Sequence, residues 1–252
     1  MKASQVGRWV YGLAAIAVGA VNLVWGDFAT IWQPIQAFGD RVPGRQAFAY
    51  VTAAALVLCG IAILGRKTAR AGALGVAAVN AIFAAFWLPR VVGYPQIFGV
   101  WSGFAEALAP VAGGVMLFAM LSGDSHRQAR TAQTARYIFG VCAIAFAIGH
   151  FSALAQTASL VPKWIPPGQT FWALTTGIFH LLAGLAILSG ILDLLASRLL
   201  ALMLIVFGAL VWLPQLFEFP HDQSAWAGNA VNLSMIGTAW VIADWIAKRR
   251  NA

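Results

Sequence analysis

Eight stretches of this 252-residue chain are long and apolar enough to cross a lipid bilayer, and nothing else restricts its fold as strongly. A transmembrane helix needs about 20 mostly apolar residues, since the hydrocarbon core is about 30 Å thick and each helical residue rises about 1.5 Å. The runs fall at 9–26, 46–65, 69–89, 100–121, 136–156, 170–191, 197–217 and 226–247. In lipid the backbone must satisfy its own hydrogen bonds, which leaves helices or a closed barrel. These runs are continuous in Ala, Leu and Gly and lack the alternation of barrel strands. The expected fold is an all-α integral membrane protein with eight transmembrane helices. Composition agrees: 61% hydrophobic and 10% charged residues, with a mean hydropathy of +0.79, leave too little polar surface to cover a water-soluble globule.

The runs come in two sets of four. Pro43 to Leu64, PGRQAFAYVTAAALVLCGIAIL, aligns without a gap on Pro167 to Leu188, PGQTFWALTTGIFHLLAGLAIL, with nine of 22 positions identical. Trp87-Leu88-Pro89 matches Trp212-Leu213-Pro214, and Trp101-Ser102-Gly103 matches Trp226-Ala227-Gly228. The offset is 124 residues in the first pair and 125 in the later ones, the mark of a tandem duplication. Arg8-Trp9-Val10-Tyr11-Gly12 also matches Arg136-Tyr137-Ile138-Phe139-Gly140. The first run therefore has an internal counterpart, which argues against a cleaved signal peptide. The expected architecture is two tandem four-helix bundles, 1–124 and 125–252. With an even number of helices per unit, they are parallel repeats about an axis along the membrane normal. Residues 122–135, SGDSHRQARTAQTA, read as the polar, helix-free linker.

A net charge of +8 could suggest nucleic acid, but the basic residues are scattered over short connections and not gathered on one face. Topology accounts for them. Placing the N-terminus inside puts 12 of the 16 Lys and Arg on the cytoplasmic side and leaves only Arg41, Arg45, Arg90 and Lys163 outside, as the positive-inside rule requires. Both termini are then cytoplasmic. The outer loops carry Trp32, Pro34, Asp40, Arg41 and Pro43 in the first unit and Pro162, Lys163, Trp164, Pro166 and Pro167 in the second. They read either as interfacial anchors or as lids over an outward-facing cavity. Cys59 and Cys142 sit in apolar runs of different units and read as small packing residues.

Ionisable groups within membrane spans are candidate functional groups. His180 lies in the sixth run on one helical face with Thr176 and Gly184; the first unit keeps Thr52 and Gly60 there but has Leu56 in place of the histidine. His150 in the fifth run aligns with Asn22. Asn80, Glu106, Asn229, Asn232 and Asp244 complete the set, with Arg90 the expected ion-pair partner of Glu106. The two histidines admit three readings: hydrogen bonding within the bundle, contact with a quinone or other redox ligand through a neutral imidazole, or haem ligation. The last has no counterpart in the first unit, and counting about 1.5 Å of rise per residue leaves the two rings several ångströms apart in depth. No metal-ligand spacing, P-loop, nucleophile elbow or dinucleotide fingerprint is present.

The second half carries His150-Phe151, the Val161-Pro162-Lys163-Trp164-Ile165-Pro166 loop, Phe171-Trp172-Ala173 with Thr176-Gly177, Ala183-Gly184, and Leu213-Pro214 with the later Pro220 and Trp226. Together these features resemble the DoxX-like family of small four-helix membrane proteins. The resemblance covers residues 136–240, and 8–120 through the repeat. It implies a multi-pass protein of the bacterial inner membrane. Some family members resemble the membrane subunit of thiosulfate:quinone oxidoreductase, others associate with redox-stress enzymes, and an animal branch assists receptor assembly. Three departures stand out: the fused double unit, the histidine-free first copy, and Trp212 where the family pattern leads one to expect His before Leu-Pro or Ile-Pro. The function so implied is a quinone-linked or redox-associated membrane subunit. The ligand site would involve His150, His180, Thr176, Trp164, Trp212 and Glu106, with no metal. The alternatives are a non-enzymatic accessory or assembly protein, binding a membrane or periplasmic partner through its outer loops, and a small-solute transporter.

Overall fold

The computed structural model describes residues 5–28, 44–123 and 125–250. Lys2, the loop residues Trp32, Pro34, Asp40, Arg41 and Pro43, and the unit boundary at 124 lie outside the described residues. Among the described residues the chain forms nine helices: α1 Val6–Trp25, α2 Arg45–Leu64, α3 Ala69–Gly93, α4 Phe98–Leu121, α5 His126–Ser152, α6 Leu154–Leu160, α7 Gln169–Ser189, α8 Asp193–Glu218 and α9 Gln223–Arg250. All but the short α6 are long and apolar enough to cross a membrane.

The expected helix-free linker is a correction. His126 to Ala135 are the first ten residues of α5, which begins ten residues before the apolar run. Ser125 caps it by accepting a hydrogen bond from the Gln128 amide at 3.3 Å, and the Ser-x-x-Gln pattern followed by Ala, Arg and Gln favours a helix in water as in lipid. Three other helices run past their expected ends, α3 to Gly93 through Pro89, α8 by one residue to Glu218 and α9 to Arg250. Within α8, Gly208–Trp212 is a π turn.

Small residues set the packing. Helix pairs in lipid gain from close backbone approach, which glycine allows. A Cβ on Gly60 of α2 would lie 2.7 Å from the Gly12 carbonyl oxygen of α1, and one on Gly184 of α7 would lie 2.8 Å from the Gly140 carbonyl oxygen of α5. The shared Thr and Gly face of α2 and α7 is thus the face on which α1 and α5 pack. The remaining neighbours run α2 to α3, α3 to α4, α7 to α8 and α8 to α9. The chain's two halves are joined along α1 with α9 and α4 with α5, and α4 meets α9 between them. They share one hydrophobic core rather than standing as two free bundles. Tyr11 is fully buried where these helices meet; its hydroxyl donates to the Pro110 carbonyl of α4, and its backbone lies against Gly237 of α9.

One ionic cluster ties one end of the bundle. Asp193 at the start of α8 accepts from Arg136 of α5 at 3.0 Å and from Arg250 of α9 at 2.6 Å. Cys59 and Cys142 are free thiols, in keeping with their reading as packing residues.

Candidate functional site

A cavity of about 290 Å³ lies among α4, α5, α6, α7, α8 and α9, near the lower end of the range typical of small-molecule sites, about 300–1,000 Å³. Five of the six residues singled out in the sequence line it: Glu106, His150, Thr176, His180 and Trp212. Trp164 does not. The turn closed by the Ile165 amide on the Pro162 carbonyl, 3.2 Å, turns the indole outward, where it is 73% exposed.

The histidines come together because α5 and α7 pack closely through Gly140 and Gly184. Their ring centroids are 5.5 Å apart with planes tilted by 33°, so the expected separation in depth does not keep them apart. His150 Nδ1 lies 3.2 Å from the Ala173 carbonyl oxygen. A carbonyl can only accept, so Nδ1 carries the hydrogen and a neutral ring keeps Nε2 as an acceptor. Thr176 Oγ1 sits 3.3 Å from the same Nδ1 and donates to the Trp172 carbonyl at 2.8 Å, which fixes the ring from a second side. His180 is 6% exposed, has the Phe146 ring edge-on at 5.7 Å, and has no hydrogen-bond partner at Nδ1. A buried donor or acceptor left unpaired costs about 1–3 kcal/mol.

Glu106 reaches this cavity from α4, in the other half of the chain, because α4 packs against α5 and α9. The expected pair with Arg90 does not form: among the described residues Glu106 makes no ion pair. Trp212 lies over Gly228 of α9, where a Cβ would overlap the indole, and meets Phe207 edge-on at 6.2 Å. Trp87 is set over Gly103 in the same manner. The connection between α5 and α7 also contributes: Ala153, Thr157 and Leu160, of and beside α6, line the cavity, whereas its Pro and Trp residues do not.

Sequence reasoning did not anticipate the π turn of α8. It is braced at both ends by asparagines of α9: Asn232 Nδ2 donates to the Leu204 carbonyl at 3.0 Å, and Asn229 Nδ2 to the Trp212 carbonyl at 2.7 Å. A readable signal existed in the change of repeat offset from 124 to 125 between Leu188 and Trp212.

The first half is built differently at the matching places. Asn22, Thr52 and Leu56, which align with His150, Thr176 and His180, are 0%, 5% and 1% exposed. Phe28 is buried, with ring centroids 5.5 Å from Phe48, one turn before Thr52 on α2, and 5.6 Å from Phe83 of α3, and Phe86 stands 6.1 Å from Phe48. Among the described residues no group of three or more His, Cys, Asp or Glu is arranged to hold a metal ion. Comparison with family models, curated proteins and solved structures finds no match to this chain.

Proposed function

We propose that this chain is a DoxX-like protein of the bacterial inner membrane that binds a quinone-class ligand in its second half and serves a redox-associated membrane complex. The observation that carries the reading is the convergence of His150, His180 and Glu106, from three helices, on one otherwise largely apolar and aromatic cavity. A quinone headgroup is a flat ring with opposed carbonyl oxygens. Imidazole can give or accept a proton at such an oxygen near neutral pH, and aromatic walls suit the ring. In this reading the chain is two tandem four-helix units, 1–124 and 125–252, in parallel orientation with both termini cytoplasmic. The duplicated segments and the 12 to 4 division of basic residues support it.

The test is to purify the protein in mild detergent, record its visible spectrum, and extract and quantify its lipophilic contents. The proposal expects a co-extracted quinone that is lost in His180→Leu, the residue of the first half. Protein free of quinone, together with a His180→Leu variant of unchanged ligand content, would overturn it.

One observation favours the accessory reading: Trp164 is 73% exposed, and Phe217, Phe219 and Trp226, at and around the connection between α8 and α9, are also exposed, Phe217 at 81%. A stoichiometric protein partner lost on changing Trp164 or Trp226, with no bound lipophile, would select that reading instead.

A further inference from the structure

The repeat offset is 124 residues at Leu64 and Leu188 and still 124 at the first residues of α3 and α8, Ala69 and Asp193, yet 125 at Trp87 and Trp212. One extra residue therefore lies inside α8. A single π turn is how a helix accommodates one inserted residue, and such turns occur frequently at functional sites. The only π turn among the described residues, Gly208–Trp212, falls within that interval.

The two asparagines that brace it have no equivalents in the first half. At an offset of 125 residues, Asn229 and Asn232 correspond to Phe104 and Ala107, and α3 is helical without a π turn. Insertion and clamp thus occur together and border the cavity, whereas in the first half Phe28 packs against Phe48 and Phe83, and Asn22, Thr52 and Leu56 are buried.

We infer that the chain carries one ligand site and not two. The inserted residue in α8, clamped by Asn229 and Asn232, opens the second half to a flat, ring-sized lipophile, and Phe28 plugs the matching place in the first half. The aromatic walls, Phe146, Phe207 and Trp212 with the two imidazoles, set the flat shape. This deepens the binding-site reading above and rests on it for the class of ligand.

Cysteine accessibility tests the inference without knowledge of the ligand. In a background with Cys59 and Cys142 replaced by alanine, Thr176→Cys and Thr52→Cys are alkylated with N-ethylmaleimide in lipid nanodiscs and followed by intact-protein mass. Alkylation needs both reach and ionisation of the thiol. Thr176→Cys should react at least an order of magnitude faster than Thr52→Cys. Removing Leu210 together with Asn229→Phe and Asn232→Ala should slow Thr176→Cys to the first-half rate. Phe28→Ala, which leaves the second half intact, should raise the Thr52→Cys rate by an order of magnitude and leave Thr176→Cys unchanged. Equal rates at the two positions in the parent background, or a Phe28→Ala variant with Thr52→Cys still unreactive, would overturn the inference. In a further arm, decylubiquinone is added at saturation. Protection of Thr176→Cys supports both proposals, whereas the labelling asymmetry without protection keeps the single site and rejects the quinone.

Discussion

Asp193→Asn removes one charge and almost no volume from the cluster at the start of α8. The Arg136 and Asp193 side chains are 8% and 7% exposed and 3.0 Å apart, so the substitution leaves a guanidinium buried without its counter-ion. Breaking a buried pair in this way costs about 3–5 kcal/mol. Arg250, the second partner, is 49% exposed, and ion pairs of that kind are worth about 0–1 kcal/mol, so Arg250→Ala should be nearly neutral. Arg136→Met with Asp193→Leu removes both charges and should recover most of the loss, because apolar replacement of a buried pair is neutral or stabilising by about 1–4 kcal/mol. Arg8 supplies a contrast. It aligns with Arg136 and is similarly buried, but among the described residues its guanidinium bonds only Gln5 Oε1, at 2.7 Å, and its Nε has no partner. Arg8→Met should therefore be neutral or stabilising. Equilibrium unfolding in mixed micelles of mild detergent and sodium dodecyl sulfate measures all four. A loss below about 1 kcal/mol for Asp193→Asn, or a double variant as unstable as Asp193→Asn alone, would refute the reasoning.

Gly228→Ala should destabilise by about 1–3 kcal/mol, the usual cost of overpacking, because its Cβ would overlap the Trp212 indole. Gly103→Ala should do the same against Trp87, and both are read as a fall in midpoint in the same unfolding assay. Tyr11→Phe removes the hydroxyl that donates to the Pro110 carbonyl at the junction of α1, α4 and α9. It should cost about 0.5–1.5 kcal/mol, the net value of one intramolecular hydrogen bond. Glu106→Gln should weaken binding of decylubiquinone, followed by quenching of Trp fluorescence, while leaving the unfolding midpoint in place, since Glu106 makes no ion pair among the described residues. A Glu106→Gln variant that unfolds early with unchanged binding would assign Glu106 to the scaffold.

The membrane spans were legible because hydrocarbon imposes one demand, an uninterrupted apolar run, and composition answers it directly. Helix ends were less so. The polar start of α5 was set by a Ser125 cap and helix-forming residues that a hydropathy criterion does not weigh. His150, His180 and Glu106 stand out as residues costly in lipid, Thr176 by sharing a helical face with His180, and Trp212 by departing from the pattern of the family that the second half resembles, and the fold brings all five to one cavity. Trp164 was selected as a residue type suited to an interface, and such a residue is as well placed facing outward. That Glu106 lines a cavity of the other half was hidden, because it depends on α4 packing beside α5 and α9, a matter of helix neighbours and not of local pattern. The π turn was present only as a one-residue slip in the repeat.

Whether a quinone-class ligand occupies the second-half cavity is decided by photoaffinity labelling with an azido-substituted ubiquinone analogue, followed by peptide mapping. Labelled peptides are expected from α4, α5 and α7 that contain Glu106, His150 and Thr176 to His180, competed by decylubiquinone and absent in His180→Leu. Labelling confined to exposed aromatics such as Trp164 and Phe217, or spread equally over both halves and unaffected by competitor, would rule out a quinone in this cavity.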